Sequence, residues 1–372
     1  MSTVRANNYY DTSGGSNAQL YGVASPPNSM GFRNRILNGD CRIDQRNAGA
    51  SVTPSGGSYT LDRWSGQTSQ TGKYSVQRNA GSVTPPAGFT NYLGVTSLSA
   101  YSVTATDYFN IAQNIEGFNV ADLGWGTANA QSITISFWVR SSLTGTFGGA
   151  LNNSGASRSY PFTYTISAAN TWEYKTVTIA GDTSGTWLTD NGVGITIAFG
   201  LGAGATRSGT AGSWASSWFQ SATGATSVVG TNGATFYITG VQLEAGTVAS
   251  PFERRDYGRE LMMCQRYYAK LAASSSYAAF GSGALTSSTN TDIYIKYPVT
   301  MRAAPTFSYG GTLGLSRAGS YYNITGSAGT YAGTDSMMQQ IQATSLAGTA
   351  GQGCVLLANA DATCFIALSA EL

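Results

Sequence analysis

The stretch YITGVQLEAGTVASPFERRDYGRELMMCQRYY, residues Tyr237–Tyr268, decides how the chain divides. Phe236–Leu243 alternates well enough to be a strand. Pro251–Arg255 then sets one apolar residue, Phe252, among Pro, Glu and two Arg. Tyr257–Tyr268 reads as a short helix or turn-rich connector. A large region rich in Gly, Ser, Thr and Ala precedes the stretch, and a smaller one of similar composition follows it. The stretch therefore closes one β domain and hands the chain to a second. It also concentrates charge in a chain that has little. Phe252, Glu253, Arg254, Arg255, Asp256 and Arg259 accordingly read as a paired junction between domains or subunits.

Upstream, QSITISFWVR (Gln131–Arg140) puts Ile133, Ile135, Phe137 and Val139 on one face. Trp138 falls on the opposite, polar face with Ser132, Thr134 and Ser136. Phe162, Tyr164 and Ile166 alternate in the same way, and Trp172, Tyr174, Thr176 and Thr178 share one side of a later strand. GVGITIAFG (residues 192–200) is another strand. Asn38-Gly39 is a strong turn signal. Many short alternating strands joined by Gly-rich turns predict a β-sandwich of the jelly-roll type. The fold class expected is all-β. An extended N-terminal arm covers residues 1–32 and a large sandwich covers 33–256. A short helical or turn-rich linker covers 257–270, and a smaller C-terminal β-sandwich covers 271–372.

Charged residues make up 10% of the 372 residues, against about 25% in ordinary soluble proteins. Seven Trp and 14 Phe argue against a disordered low-complexity chain. The net charge of +2 comes without a basic run, so no nucleic-acid partner is expected. Histidine is absent, which removes the commonest general base and metal imidazole together. Four cysteines (Cys41, Cys264, Cys354, Cys364) include no CxxC pair. Cys354 and Cys364 could pair across a hairpin, or all four could be reduced and packed as small apolar groups. No transmembrane segment and no signal peptide are expected.

Five pieces, in this order, carry a family resemblance: FRNRILNGDCRIDQR (Phe32–Arg46), YTLDRW (Tyr59–Trp64), ISFWVR (Ile135–Arg140), WEYKTVTIAGDTSGTW (Trp172–Trp187) and the opening stretch. On these the chain resembles tail-fibre and related appendage proteins of tailed bacteriophages, over roughly residues 32–268. The resemblance implies a structural protein of the virion, assembled in the host cytoplasm and exposed on the particle. It implies a homotrimer, docked to other virion proteins through residues 1–32, with host surface polysaccharide as a further partner. A capsid-decorating or tail-accessory protein without receptor binding is the alternative. The middle region is also similar to jelly-roll carbohydrate-binding modules, which commonly hold a structural calcium. The counterparts here would be Asn38, Asp40 and Glu244. The same residues also read as pairs with nearby arginines.

Sugar sites use exposed aromatics as platforms. The candidates are Trp138 on its polar face, Trp125, Trp214 and Trp218 in loops, and Tyr321 and Tyr322 in the last domain. Each also reads as a packing residue or an intersubunit contact. A glycoside hydrolase needs two carboxylates about 5–9.5 Å apart. Asp107, Glu116, Asp122, Glu173, Asp182 and Asp190 form no recognisable pair, and no short repeat builds a β-helix. The sequence is therefore read as non-enzymatic, with no catalytic residues.

Overall fold

The computed structural model describes residues 32–344, 346 and 348–372, together with the backbone of a two-residue hairpin, β1 (Gln19–Leu20) and β2 (Val23–Ala24). The docking arm expected over residues 1–32 otherwise lies outside the described residues up to residue 31. The chain forms two compact units that part between Arg255 and Asp256.

The first unit runs through β3 (Gly57–Leu61), β4 (Trp64–Thr68), β5 (Tyr74–Arg78), β6 (Leu93–Ser97), β7 (Tyr108–Glu116), β8 (Ile133–Ser141), β9 (Gly145–Asn152) and β10 (Ser159–Ile166). It continues with β11 (Glu173–Ile179), β12 (Val193–Ala203), the short β13 (Ser208–Gly209) and β14 (Ser221–Ala222), and β15 (Thr235–Ala245). Two antiparallel sheets result, one of six strands in the order β10-β9-β12-β7-β4-β3 and one of five in the order β11-β8-β15-β6-β5. The period-2 pattern sets which side chains meet between them. Trp64, Phe109, Ile111, Phe147, Phe162, Ile197 and Phe199 enter from the larger sheet. Ile133, Ile135, Phe137, Val139, Phe236 and Ile238 enter from the smaller. Phe137 sits 5.0 Å from both Tyr164 and Phe199, edge to face, in the arrangement the ring quadrupoles favour.

The outer face of the six-stranded sheet is lined by small residues, and the loop around β14 lies on it. A Cβ at Gly148 or Gly200 would meet the Ser221 side chain at 2.4 and 2.6 Å. Asn110 Nδ2 donates to Gln220 Oε1 at 2.7 Å across that contact.

The segment Phe32–Arg46 makes no strand, yet it is nearly all buried or half-buried. Its backbone is held by side chains. Asn34 Nδ2 donates to the Val241 carbonyl at 3.1 Å, and Asn34 Oδ1 accepts from the amides of Ile36 and Leu243. Arg35 N donates to the Leu243 carbonyl, and Val241 N donates to the Gly39 carbonyl. A Cβ at Gly39 would lie 2.2 Å from the Val241 oxygen, so only glycine allows this approach. Asn38 takes the left-handed conformation at φ 55° and spends its amide on the carbonyls of Ile43 and Asp62 and the amide of Ile43. The opening expectation of an Asn-Gly turn is met by a turn that packs inward rather than one at a hairpin tip.

The second unit begins with α1 (Tyr257–Gln265), whose first turn is capped by Asp256 Oδ1 accepting from Arg259 N at 2.9 Å. Tyr268 already starts β16 (Tyr268–Ala272). Then come β17 (Ala279–Leu285), β18 (Asn290–Lys296), β19 (Thr306–Gly310), β20 (Leu313–Arg317), β21 (Ser320–Ala332), β22 (Ser336–Ala343), β23 (Gly353–Ala358) and β24 (Phe365–Ser369). The smaller C-terminal β-sandwich expected from the sequence is not what forms, because the first and last strands of the larger sheet, β17 and β23, pair with each other. Six strands close into a barrel in the order β17-β18-β22-β21-β20-β23, beside a three-stranded sheet β16-β24-β19. Closure removes strand edges that a small open sheet would leave unpaired. Leu285, Ile293, Ile295, Leu315, Met337, Ile341 and Leu356 are in its core. All four cysteines are free, buried thiols.

Two carboxylates fasten loops in the two units. Burial pushes the Asp107 carboxyl up, but donors from Thr104 Oγ1 and N, Ser69 Oγ and Tyr101 OH outweigh it and hold it at about 2. Asp361 is likewise held at about 2, by Thr363 Oγ1 and the amides of Thr312 and Thr363. A carboxyl whose folded value lies below its unfolded value of about 3.9 adds stability above that pH and loses it as pH falls through its folded value. Urea midpoints should hold from neutrality down to about pH 4 and fall between about pH 4 and pH 2. Asp107→Asn should be destabilised at pH 7 and show a shallower fall across that window; an identical pH profile would refute the assignment.

Candidate functional site

β8, β11 and β15 present side chains on the outer face of the five-stranded sheet. Directly opposed pairs place Tyr174 beside Trp138, Trp138 beside Thr239, and Ser136 beside Gln242. Between Thr239 and Gln242 the register shifts by one residue, because Gly240 and Val241 on β15 together oppose Phe137 alone on β8. Val241 goes into the core, and Gly240 sits at φ 62°. A Cβ there would meet the Phe89 ring at 2.6 Å. The bulge thus opens a floor on which neighbouring loops close.

Two segments build the walls. The loop before β6 is tied down by Thr239 Oγ1 donating to the Asn91 carbonyl at 2.7 Å and by Trp172 Nε1 donating to the Thr84 carbonyl at 2.8 Å. This loop carries Phe89. The tail after β15 doubles back over the sheet. Ser250 donates to Glu244 through both its amide and its hydroxyl, and Glu253 N donates to Gln242 Oε1 at 2.8 Å. Phe252 then meets Phe89 edge to face at 5.3 Å. The result is a cavity of about 500 Å³ lined by Phe89, Ser136, Trp138, Tyr174, Gly240, Pro251, Phe252 and Arg254. Trp138 and Tyr174 form its aromatic floor, with ring centroids 5.4 Å apart and planes tilted by 50°. A mostly apolar hollow with a few polar groups is the usual form of a small-ligand site.

The seven tryptophans sort by what their indole N–H does. Trp64, Trp125, Trp172, Trp187 and Trp214 donate to backbone carbonyls, as structural indoles do. Trp125 and Trp214 also pack edge to face with Trp187 and with each other, which makes them a structural knot. Among the described residues, Trp138 and Trp218 make no such bond. Trp218 is covered by the Arg207 guanidinium at 4.4 Å and by Tyr108. Trp138 faces the cavity. Tyr321 and Tyr322 lie in the second unit. Tyr321 is exposed beside Tyr277, while Tyr322 is half-buried, its hydroxyl accepting from Arg317 Nη2 at 3.3 Å. Within the first unit the structure therefore does not bring Trp125, Trp138, Trp214 and Trp218 into one site.

The charged cluster of the opening stretch also separates. Arg255 is buried and donates to the carbonyls of Asn34 and Ile36. Glu253 accepts from Asn34 N and lies 3.4 Å from Arg255 Nη2. Phe252 and Arg254 wall the cavity, while Asp256 and Arg259 make the helix cap. Phe252 to Arg255 thus work within the first unit. Parity puts Trp138 on a polar face and Tyr174 beside Thr176 and Thr178, whereas Phe252 and Arg254 read as junction residues rather than walls and nothing local signals Phe89. The carboxylates considered for hydrolysis serve other partners: Asp182 pairs with Arg158, Glu173 with Lys175 and Asp122 with Arg35.

No protein-family model matches the chain, and no curated protein matches it either. Solved structures similar in part include a putative sugar binding protein from Bacteroides thetaiotaomicron (12% identity, TM-score 0.35, covering 57% of this chain and 100% of that one). Another is the enzymatically active domain of tailspike protein 4 from Bacteriophage CBA120 (12% identity, TM-score 0.32, 57% of this chain). The match spans about a fifth of that tailspike chain, 21%. A third is TmCBM61 in complex with β-1,4-galactotriose (10% identity, TM-score 0.29, 57% of this chain and 99% of that one).

Calcium at Asn38, Asp40 and Glu244 does not fit the donors present. Asn38 has its amide committed to backbone. Asp40 is paired with Arg42 at 2.6 Å. Both Glu244 oxygens accept from protein donors, Ser250 and Gln242, with Arg33 Nε 3.7 Å away. A calcium cage needs six to eight free oxygens. Chelation with EDTA should therefore leave the melting temperature unchanged, whereas Glu244→Ala should lower it; a drop with EDTA that calcium reverses would overturn this.

Proposed function

We propose that the chain is a non-enzymatic, glycan-binding structural protein of a bacteriophage virion, with the saccharide seated on Trp138 and Tyr174. The observation that carries the glycan reading is the cavity floor. Its two aromatic rings both line one hollow, and the Trp138 indole N–H is left without a protein acceptor among the described residues. The C–H face of a pyranose packs on an aromatic face, and a free indole N–H offers a hydrogen bond to a ring hydroxyl. Binding rather than cleavage is supported by the lining, in which the residues named above include no carboxylate.

The virion location, the tail-fibre role and the homotrimer rest on the family resemblance. One feature of the second unit supports assembly. Tyr294, Met338 and Tyr331 stand directly opposite one another on three adjacent barrel strands, and all three are exposed. A row of large apolar side chains on a chain with so little charge favours burial against another protein surface.

Tryptophan fluorescence titrated with a panel of bacterial surface oligosaccharides should detect binding. Trp138→Ala should weaken it at least tenfold with an unchanged melting temperature, and Tyr174→Ala should weaken it by a smaller factor. Binding that survives Trp138→Ala at full strength would remove the site from this role. Light scattering on the full chain should give three times the monomer mass; a stable monomer would count against the fibre reading.

A further inference from the structure

Arg254 is the one charged residue among those lining the cavity. Its guanidinium lies 4.7 Å from the centroid of Phe89 and 5.7 Å from that of Phe252, so two rings hold it. It also lies against the turn at Gly88, where a Cβ would come within 3.1 Å of Nη2 and φ is 85°. The group is exposed, and among the described residues it makes no hydrogen bond and no ion pair. The neighbouring acid, Glu253, is committed to Asn34 N and Arg255. This is unusual in a chain where most other arginines are engaged by carboxylates or carbonyls, as Arg35, Arg42, Arg158 and Arg255 are. Packing a guanidinium on ring faces leaves its N–H edges pointing in its own plane, free for a ligand. A planar fork fixed in this way matches an oxyanion bidentately, and does so with little ordering cost.

We infer that the cavity selects a saccharide bearing an anionic substituent, a uronic-acid carboxylate or a sulfate ester, with one sugar ring on Trp138 and Tyr174 and the anion on Arg254. The inference rests on the glycan reading above and adds the ligand's charge to it. Ring stacking supplies contact that neutral and acidic sugars share, and Arg254 supplies the discrimination between them. Because the cation sits at a solvent-facing lip, salt screens the attraction.

The test is calorimetric titration of the full chain with oligogalacturonate, with the same oligomer as its methyl ester, with a sulfated galactan oligosaccharide, and with neutral galactan. An anionic oligomer should bind at least tenfold more tightly than the ester, and its affinity should fall between 50 and 300 mM salt, taken as roughly a halving of the Debye length. Preference between oligogalacturonate and the sulfated oligomer tells carboxylate from sulfate. Arg254→Gln, with its melting temperature unchanged, should bring the anionic oligomer down to the ester's affinity, and Arg254→Lys should restore part of the difference. Binding of both anionic oligomers no tighter than of the ester and neutral galactan, or undiminished binding of the preferred anionic oligomer by Arg254→Gln, overturns the inference and leaves the glycan reading standing. Absence of binding to all four oligomers, neutral galactan included, overturns both.

Discussion

The one-residue bulge in β15, where Gly240 and Val241 together oppose Phe137, is the constraint on which the first unit turns. The bulge does two things at once. It sends Val241 into the core, and it leaves the Val241 N–H and C=O to be bonded by Gly39 and Asn34. Unpaired backbone groups at a bulge must find partners, because a buried N–H or C=O left alone costs about 1–3 kcal/mol. The Phe32–Arg46 segment supplies those partners. It is held in shape by the strand it serves rather than by any ladder of its own.

Arg255 completes this arrangement from the other side. Its donors reach the carbonyls of Asn34 and Ile36, so the segment is bonded to β15 by Asn34 and to the tail by Arg255. A buried guanidinium is tolerated here because its charge is met by Glu253 and its donors by main-chain oxygen. The tail that carries Phe252 and Arg254 is thereby fixed over the sheet. The site's geometry depends on side-chain to main-chain bonds between residues more than two hundred positions apart.

That dependence explains what the sequence could and could not tell. The alternation of Ile133, Ile135, Phe137 and Val139 identified both the inward face and the outward position of Trp138, because period two is a local property. The same logic placed Tyr174 with Thr176 and Thr178. The wall residues Phe89, Phe252 and Arg254 sit in loops, where no period exists. The charges around Arg255 read as a junction because their partners are carbonyls, which every residue carries and no sequence reveals. The barrel in the second unit was hidden for another reason. β21 alternates between half-buried and exposed positions along much of its length, so its burial signal is weak, and closure depends on β17 meeting β23 rather than on any one strand.

The order of residues along the tail has a mechanical meaning. A pull applied to the chain at Asp256 meets Arg255 before it meets Arg254 or Phe252. Arg255 is clamped to the Asn34 and Ile36 carbonyls, and those are in turn bonded to β15 in the middle of its sheet. Load arriving from the C-terminal side is therefore carried into the sheet at that residue. Phe252 and Arg254, just upstream of that clamp, are thereby shielded from tension applied at Asp256.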